Sequence, residues 1–120
     1  MEIKKLIIFG AGGHGHVLEE IAADYGFKVS FWDDDKSKTD EEIFENYELE
    51  IEGKTSIIIG IGNNLKREQI SYDYPKEAFK SLIHQRAIIA NSTKIGIGTA
   101  IMAGVCINYN SIIGNHCILN

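Results

Sequence analysis

Basic residues are in short supply in this chain. Its 12 Lys and Arg stand against 17 Asp and Glu, a formal net charge of −5 over 120 residues. An electrostatic nucleic-acid binder carries a basic stripe, so this balance argues against nucleic acid as a partner. Long apolar runs are missing too. Nothing approaches the roughly 18 residues of a membrane span. The apolar stretch after Lys4-Lys5 is too short for a signal-peptide core. Cysteine is limited to Cys106 and Cys117, far from any CxxC spacing. That excludes a disulfide framework and points to a reducing, cytoplasmic compartment. Proline occurs once, at Pro75, and the charged (24%) and hydrophobic (44%) fractions are those of a globular chain. Disorder is therefore not expected. The length suits one domain and not two large ones.

Isoleucine, by contrast, is abundant: 21 residues, many in short aliphatic runs. β-Branched enrichment of this kind favours strands. Lys5-Leu6-Ile7-Ile8-Phe9 reads as a central parallel strand covered on both faces. Gly10-Ala11-Gly12-Gly13-His14-Gly15 follows. Then Val17, Leu18, Ile21 and Ala22 recur at helical spacing, with Gly26 as a stop. Lys28-Val29-Ser30-Phe31-Trp32 reads as a second strand ending in Asp33-Asp34-Asp35. Residues 36–54 are polar and acidic, with a short helix predicted at 41–46. Ser56-Ile57-Ile58-Ile59 is a third buried strand, closed by Gly60-Ile61-Gly62-Asn63-Asn64. A short helix is predicted over 65–71, a turn over 72–76 and a connecting strand over 79–83.

From residue 83 the grammar changes. Ile83, Ile89, Ile95, Ile101, Ile107, Ile113 and Leu119 stand six residues apart without a miss. Ala87, Thr93, Thr99, Val105, Ser111 and Cys117 form a second row of small or modest side chains. A period of six fits neither a helix nor an alternating strand. It fits a solenoid in which three hexapeptides complete a triangular coil of about 18 residues. A sandwich of Ile-rich strands would show period two instead. The chain thus reads as α/β in class: a small Rossmann-like parallel-sheet unit over 1–80, then the first two coils of a hexapeptide β-helix over 81–120.

The glycine segment Gly10-x-Gly12-x-x-Gly15 sits between a strand and a helix, the context a phosphate-binding fingerprint needs. Glycines permit close backbone approach, and the helix N-terminus offers free N–H groups to a phosphate. An acidic residue at the end of the second strand, Asp33 or a neighbour, can accept from ribose hydroxyls. A unit of this size is half a Rossmann fold, so a mononucleotide or nucleotide-sugar fits better than NAD. The bland alternative is a tight strand-to-helix turn with no ligand. The Asp33-Asp34-Asp35 run reads as an acidic turn before it reads as a metal site, because no His or Cys accompanies it and hard cations need more oxygens. His16 reads as a solvent-facing residue, whereas His14 can reach a ligand. Loops at the carboxyl ends of the three strands would line one crevice.

Taken together, the residues 9–15, Asp33-Asp34, Ile61-Gly62-Asn63-Asn64 and Leu82-Ile83-His84 before hexapeptides resemble a known family. It is the family of sialic acid O-acetyltransferases and UDP-amino-sugar (bacillosamine-type) N-acetyltransferases, which are hexapeptide-repeat acyltransferases. The resemblance covers the whole chain in order. It implies a left-handed β-helix that trimerises, acetyl-CoA as co-substrate and a nucleotide-linked amino sugar or sialic acid as acceptor. Carried over by position, acceptor binding falls to Gly12, Gly13 and His14, to Asp34 with the neighbouring Asp33, and to Gly62. The family's general base is a histidine in a Glu-His-Asp/Glu-Cys segment shortly after an Ile-Leu-Asn motif. Here Ile118-Leu119-Asn120 ends the sequence, so the resemblance places the base beyond Asn120. The chain is accordingly expected to be the acceptor-binding, N-terminal portion of a longer enzyme, and inactive by itself. His116 is expected at the repeat surface, His84 in a structural role, and neither cysteine as a nucleophile. Two other functions compete: a non-catalytic nucleotide-sugar-binding module, and an NAD-dependent oxidoreductase, which lacks the second half of its fold.

Overall fold

A computed structural model describes residues 4–40 and 55–120. The helix predicted at 41–46 lies outside the described residues. Three parallel strands, β1 (Lys5–Phe9), β2 (Lys28–Trp32) and β3 (Thr55–Ile59), form a sheet in the order β2-β1-β3. Lys5 pairs with Lys28 on one side and Thr55 on the other, and the register runs to Phe9 with Trp32 and Ile59. The central strand is β1, so its side chains need cover on both faces. Helix α1 (Gly13–Asp24) covers one: Leu18, Ile21 and Ala22 pack with Leu6, Ile8 and Ile58. Helix α2 (Asn64–Ser71) and the segment after it cover the other, where Ile70, Tyr74 and Phe79 pack with Ile7, Phe9, Ile57 and Ile59. This double cover is the physical reason for the unbroken apolar runs.

Local signals set the helix ends. Gly26 adopts φ +81°, and the amides of Gly26 and Phe27 close on the carbonyls of Ala23 and Ala22. That is the left-handed glycine stop of a Schellman turn. Val17 differs from its predicted core place: it is 45% exposed. Asn63 caps α2, its side-chain oxygen accepting from the Lys66 amide at 2.9 Å. The connecting strand predicted over 79–83 is reduced to one bridge, Ile57 with Phe79, followed by a two-residue strand. A 3₁₀ turn at Lys76–Ala78 precedes it.

Seven two-residue strands complete the chain: β4 (Leu82–Ile83), β5 (Ile88–Ile89), β6 (Lys94–Ile95), β7 (Ala100–Ile101), β8 (Cys106–Ile107), β9 (Ile112–Ile113) and β10 (Ile118–Leu119). Each pairs in parallel with the strand 18 residues away, giving the sets β4-β7-β10, β5-β8 and β6-β9. The six-residue aliphatic row therefore stacks on itself, Ile83 on Ile101 on Leu119. Ile101, with neighbours on both sides, is fully buried. A polar ladder runs beside it. Thr99 is 0% exposed, yet its hydroxyl donates to the Gly114 carbonyl and accepts from the Cys117 amide. A further period marks the turns: Gly98, Gly104, Asn110 and His116, again six apart, all have positive φ. Asparagine and histidine are among the side chains that tolerate that region best. The two parts share a core, since Leu82 and Ala100 join the α1 cluster, and the Tyr25 hydroxyl donates to the Ile83 carbonyl. Among the described residues no helix is long and apolar enough to cross a membrane.

Candidate functional site

Parallel pairing brings the carboxyl ends of β1, β2 and β3 to one edge. The ladder continues past the strands, with the Gly10 amide on the Trp32 carbonyl and the Gly60 amide on the Phe9 carbonyl, both at 2.7 Å. The three following loops are thereby held side by side. Between them lies a cleft of about 550 Å³, a volume suited to a small organic ligand. Gly12, Gly13, His14, Asp33, Asp34 and Gly62, the six residues singled out from the sequence, all line it.

The glycines divide into two groups. Gly10 has φ +113°, and a β-carbon on Gly15 would collide with the Gly10 carbonyl. One on Gly60 would press on Ile8 at 2.8 Å. These positions are glycine because the loop, α1 and β1 are in contact. Gly12, Gly13 and Gly62 are different: a β-carbon there would meet nothing within 4 Å, and none of them has a positive φ. Neither packing nor backbone geometry demands glycine at these three points of the cleft wall.

Helix α1 begins at the cleft. Its N-cap is Gly12, with no side-chain cap, and its first turn carries no acidic residue. The amides of the first turn have no carbonyl to bond within the helix, so they present a partial positive charge at the cleft wall. His14 stands there with its Nε2 buried and without a hydrogen-bond partner. Burial first, and the charge of Arg67 second, hold its imidazole below the ordinary histidine value. It is thus a neutral ring at neutral pH, able to donate or accept. His14 also borders a second cleft of about 650 Å³, lined by Val17, His84, Met102 and Asn120 among others.

The acidic run has separate duties. Asp33 accepts the Ala11 amide on one oxygen and the Asp35 amide on the other, both at 2.9 Å. These two bonds push its carboxyl below the usual range. Asp33 therefore ties the second-strand turn to the glycine loop, and keeps one lone pair on each oxygen. Asp35 caps the 3₁₀ turn at Lys36–Lys38 through the Ser37 amide. Asp34 is exposed at the cleft and pairs with Lys66, which also lines it. Of the three, Asp34 is the carboxylate not committed to the turn.

Sequence reasoning missed the wall contributed by α2 and the residues just after it. Lys66, Gln69, Ile70 and Asp73 line the cleft. At helical spacing these mostly polar residues read as an ordinary solvated helix surface, and no local signal in the sequence marked them as a binding wall. Trp32 and Tyr74 supply aromatic wall, with Tyr74 stacked on Phe9 at 5.1 Å. Asn63 and Asn64 serve the loop: Asn63 caps α2, and the Asn64 side-chain oxygen accepts from Arg67 at 2.6 Å. The other histidines are engaged elsewhere. His16 contacts Glu19 at 3.1 Å, and His84 accepts the Arg86 amide at 2.9 Å. His116 is not the surface residue expected from the sequence. It is half-buried, edge-on to Phe79 at 4.5 Å, in the left-handed turn that packs over Gly98.

UDP-N-acetylbacillosamine N-acetyltransferase of Bacillus subtilis (strain 168) is 38% identical over 113 residues, covering 84% of this chain and 52% of that protein. Crystallographic PerB from Caulobacter crescentus, in complex with CoA and GDP-perosamine, superposes with a TM-score of 0.82 at 29% identity. The match covers 99% of this chain and 61% of PerB. The acetyltransferase domain of PglB from Neisseria gonorrhoeae FA1090, in complex with acetyl coenzyme A, gives a TM-score of 0.83 at 30% identity, covering 99% of this chain and 62% of that one. The chain thus spans about half to three-fifths of the length of these relatives. Residues 5–73, more than half of the chain, match the PglD N-terminal domain, and the chain belongs to that family.

Proposed function

We propose that this chain carries the acceptor-binding part of an acetyl-CoA-dependent acetyltransferase, and that the cleft takes a nucleotide-linked amino sugar. The observation that carries the reading is the second group of glycines. Gly12, Gly13 and Gly62 are bare where the protein itself has room for a side chain. Bare positions on a cleft wall let a ligand approach the backbone closely. The uncapped start of α1 suits a phosphate. Asp34, with the spare lone pairs of Asp33, suits ribose hydroxyls, and the unpartnered Nε2 of His14 suits a polar group on the sugar. The names and ligands of the Bacillus, Caulobacter and Neisseria relatives point the same way.

In this reading residues 1–80 are a Rossmann-like nucleotide-sugar-binding unit, and residues 81–120 are the first two coils of a left-handed parallel β-helix. The six-residue rows and the 18-residue register support the second assignment. A homotrimer and a cytoplasmic location go with it, and the exposed Ile88 and Ile112 are apolar side chains that such packing would cover. Attack of an amine on the thioester of acetyl-CoA needs a base to take the proton. The reading assigns that role to no residue of this chain. Calorimetric titration with a UDP-linked and a GDP-linked amino sugar, and with NAD, tests the proposal. Binding of an amino-sugar nucleotide in preference to NAD is expected. No heat at millimolar nucleotide-sugar, or tighter binding of NAD, would overturn it.

A further inference from the structure

Arg67, on α2, faces four acceptors. One terminal nitrogen donates to the Ile61 carbonyl at 2.9 Å and the Gly62 carbonyl at 3.3 Å. The other donates to the Asn64 side chain at 2.6 Å, and Nε donates to the His116 carbonyl at 2.8 Å. Peptide geometry gives the first pair a consequence. The chain contains no cis bond among its described residues, and in a trans peptide N–H and C=O point opposite ways. Drawing the carbonyls of Ile61 and Gly62 toward Arg67 turns the following amides, those of Gly62 and Asn63, away from it. Gly62 forms the cleft wall with open space beside it. The Nε bond reaches elsewhere, to a turn 49 residues on. That turn is itself held by His116 against Phe79 and by the His116 amide on the Ile97 carbonyl at 2.8 Å.

We propose that Arg67 is the positioning residue of the cleft: through the carbonyls of Ile61, Gly62 and His116 it keeps the Gly62 amide available to the ligand and locks this wall to the 81–120 repeat. The ligand named here rests on the nucleotide-sugar reading above; the positioning itself does not. Lysine cannot replace Arg67 in this task. Its ammonium keeps the charge but lacks the planar fork that serves several acceptors at once. The charge acts separately, bearing on both His14 and His116.

Two variants of the 120-residue chain divide geometry from charge. In ligand-free ¹⁵N spectra, Arg67→Lys and Arg67→Met should both move the amides of Gly62, Asn63 and residues 115–117. Arg67→Met should also raise the titration midpoints of His14 and His116, whereas Arg67→Lys should leave them near wild type. Affinity for a UDP-linked amino sugar should fall at least about tenfold in both, because charge alone does not restore the amides. A change confined to α2, or full rescue of affinity by lysine, would overturn the proposal. If the wild-type chain binds no nucleotide sugar, the functional reading fails, and the ligand-free amide shifts still decide the role of Arg67.

Discussion

Substituting alanine at Gly13 and at Gly15 should separate binding from folding within one helical turn. Both residues lie in the first turn of α1. A β-carbon at Gly13 meets no atom within 4 Å. Helical backbone there suits alanine, which also has less conformational freedom to lose, so Gly13→Ala should leave the fold unharmed or stabilise it by about 0.5 kcal/mol. At Gly15 the added carbon runs into the Gly10 carbonyl, with Phe31 at 3.5 Å behind it. The obstacle is backbone, so α1 must move off β1, and the cost is about 1–3 kcal/mol or more. Urea denaturation measures the stability of each variant and nucleotide-sugar calorimetry its affinity. Gly13→Ala should keep or slightly raise its midpoint and lose about tenfold or more in affinity. Gly15→Ala should lose stability whether or not ligand is present. An unchanged affinity in Gly13→Ala would refute the argument that bare wall glycines mark the ligand's path. An unchanged midpoint in Gly15→Ala would refute the packing behind it.

Removal of Asp33 strips two backbone amides of their acceptor, so Asp33→Ala should cost about 1–2 kcal/mol after solvent screening. Asp34→Ala, which breaks an exposed pair, should leave the denaturation midpoint unchanged and weaken ligand binding; equal losses of stability would contradict the division of labour. Ile101→Ala should cost about 2–5 kcal/mol, because the side chain is fully buried between Ile83 and Leu119. Ile112→Ala, at a side chain 79% exposed, should stay within about 0.5 kcal/mol in the same denaturation assay. His14 and His116 both titrate below the ordinary 6.5 in the folded chain, mainly through burial. The unfolded chain takes these protons first. Their contribution is therefore complete above about pH 6.5 and is lost as pH falls through the folded values. Denaturation midpoints should drop between pH 7.5 and 5.5, and His116→Asn, which tolerates the left-handed turn, should flatten that drop; a rise on acidification would contradict the burial argument.

Where a single periodicity decided the structure, the sequence was readable. The aliphatic row from Ile83 to Leu119 has one physical meaning at period six, and its stacking at 18 residues follows. The strand-glycine-helix order likewise placed Gly12, Gly13 and His14 at one edge, because parallel strands must deliver their loops there. Contacts between distant segments were not readable. That Asp33 would bond Ala11, and so serve the loop rather than only a ligand, depends on how two loops meet across the sheet edge. His116 looked like a surface residue because nothing local announces that Phe79 and Arg67 will close over it. Lys66, Gln69, Ile70 and Asp73 offered the sequence only a mostly polar surface, and their place in a wall depends on the cleft in front of them.

The central claim is that the edge of the parallel sheet holds a nucleotide-linked amino sugar. The most direct measurement is a ¹⁵N shift map of the 120-residue chain titrated with a UDP-linked amino sugar. Saturable shifts should concentrate at Gly12, Gly13, His14, Asp34, Gly62 and Lys66, with the strands β4 to β10 little moved. Absence of saturation at millimolar ligand, or shifts centred away from these six residues, would contradict it.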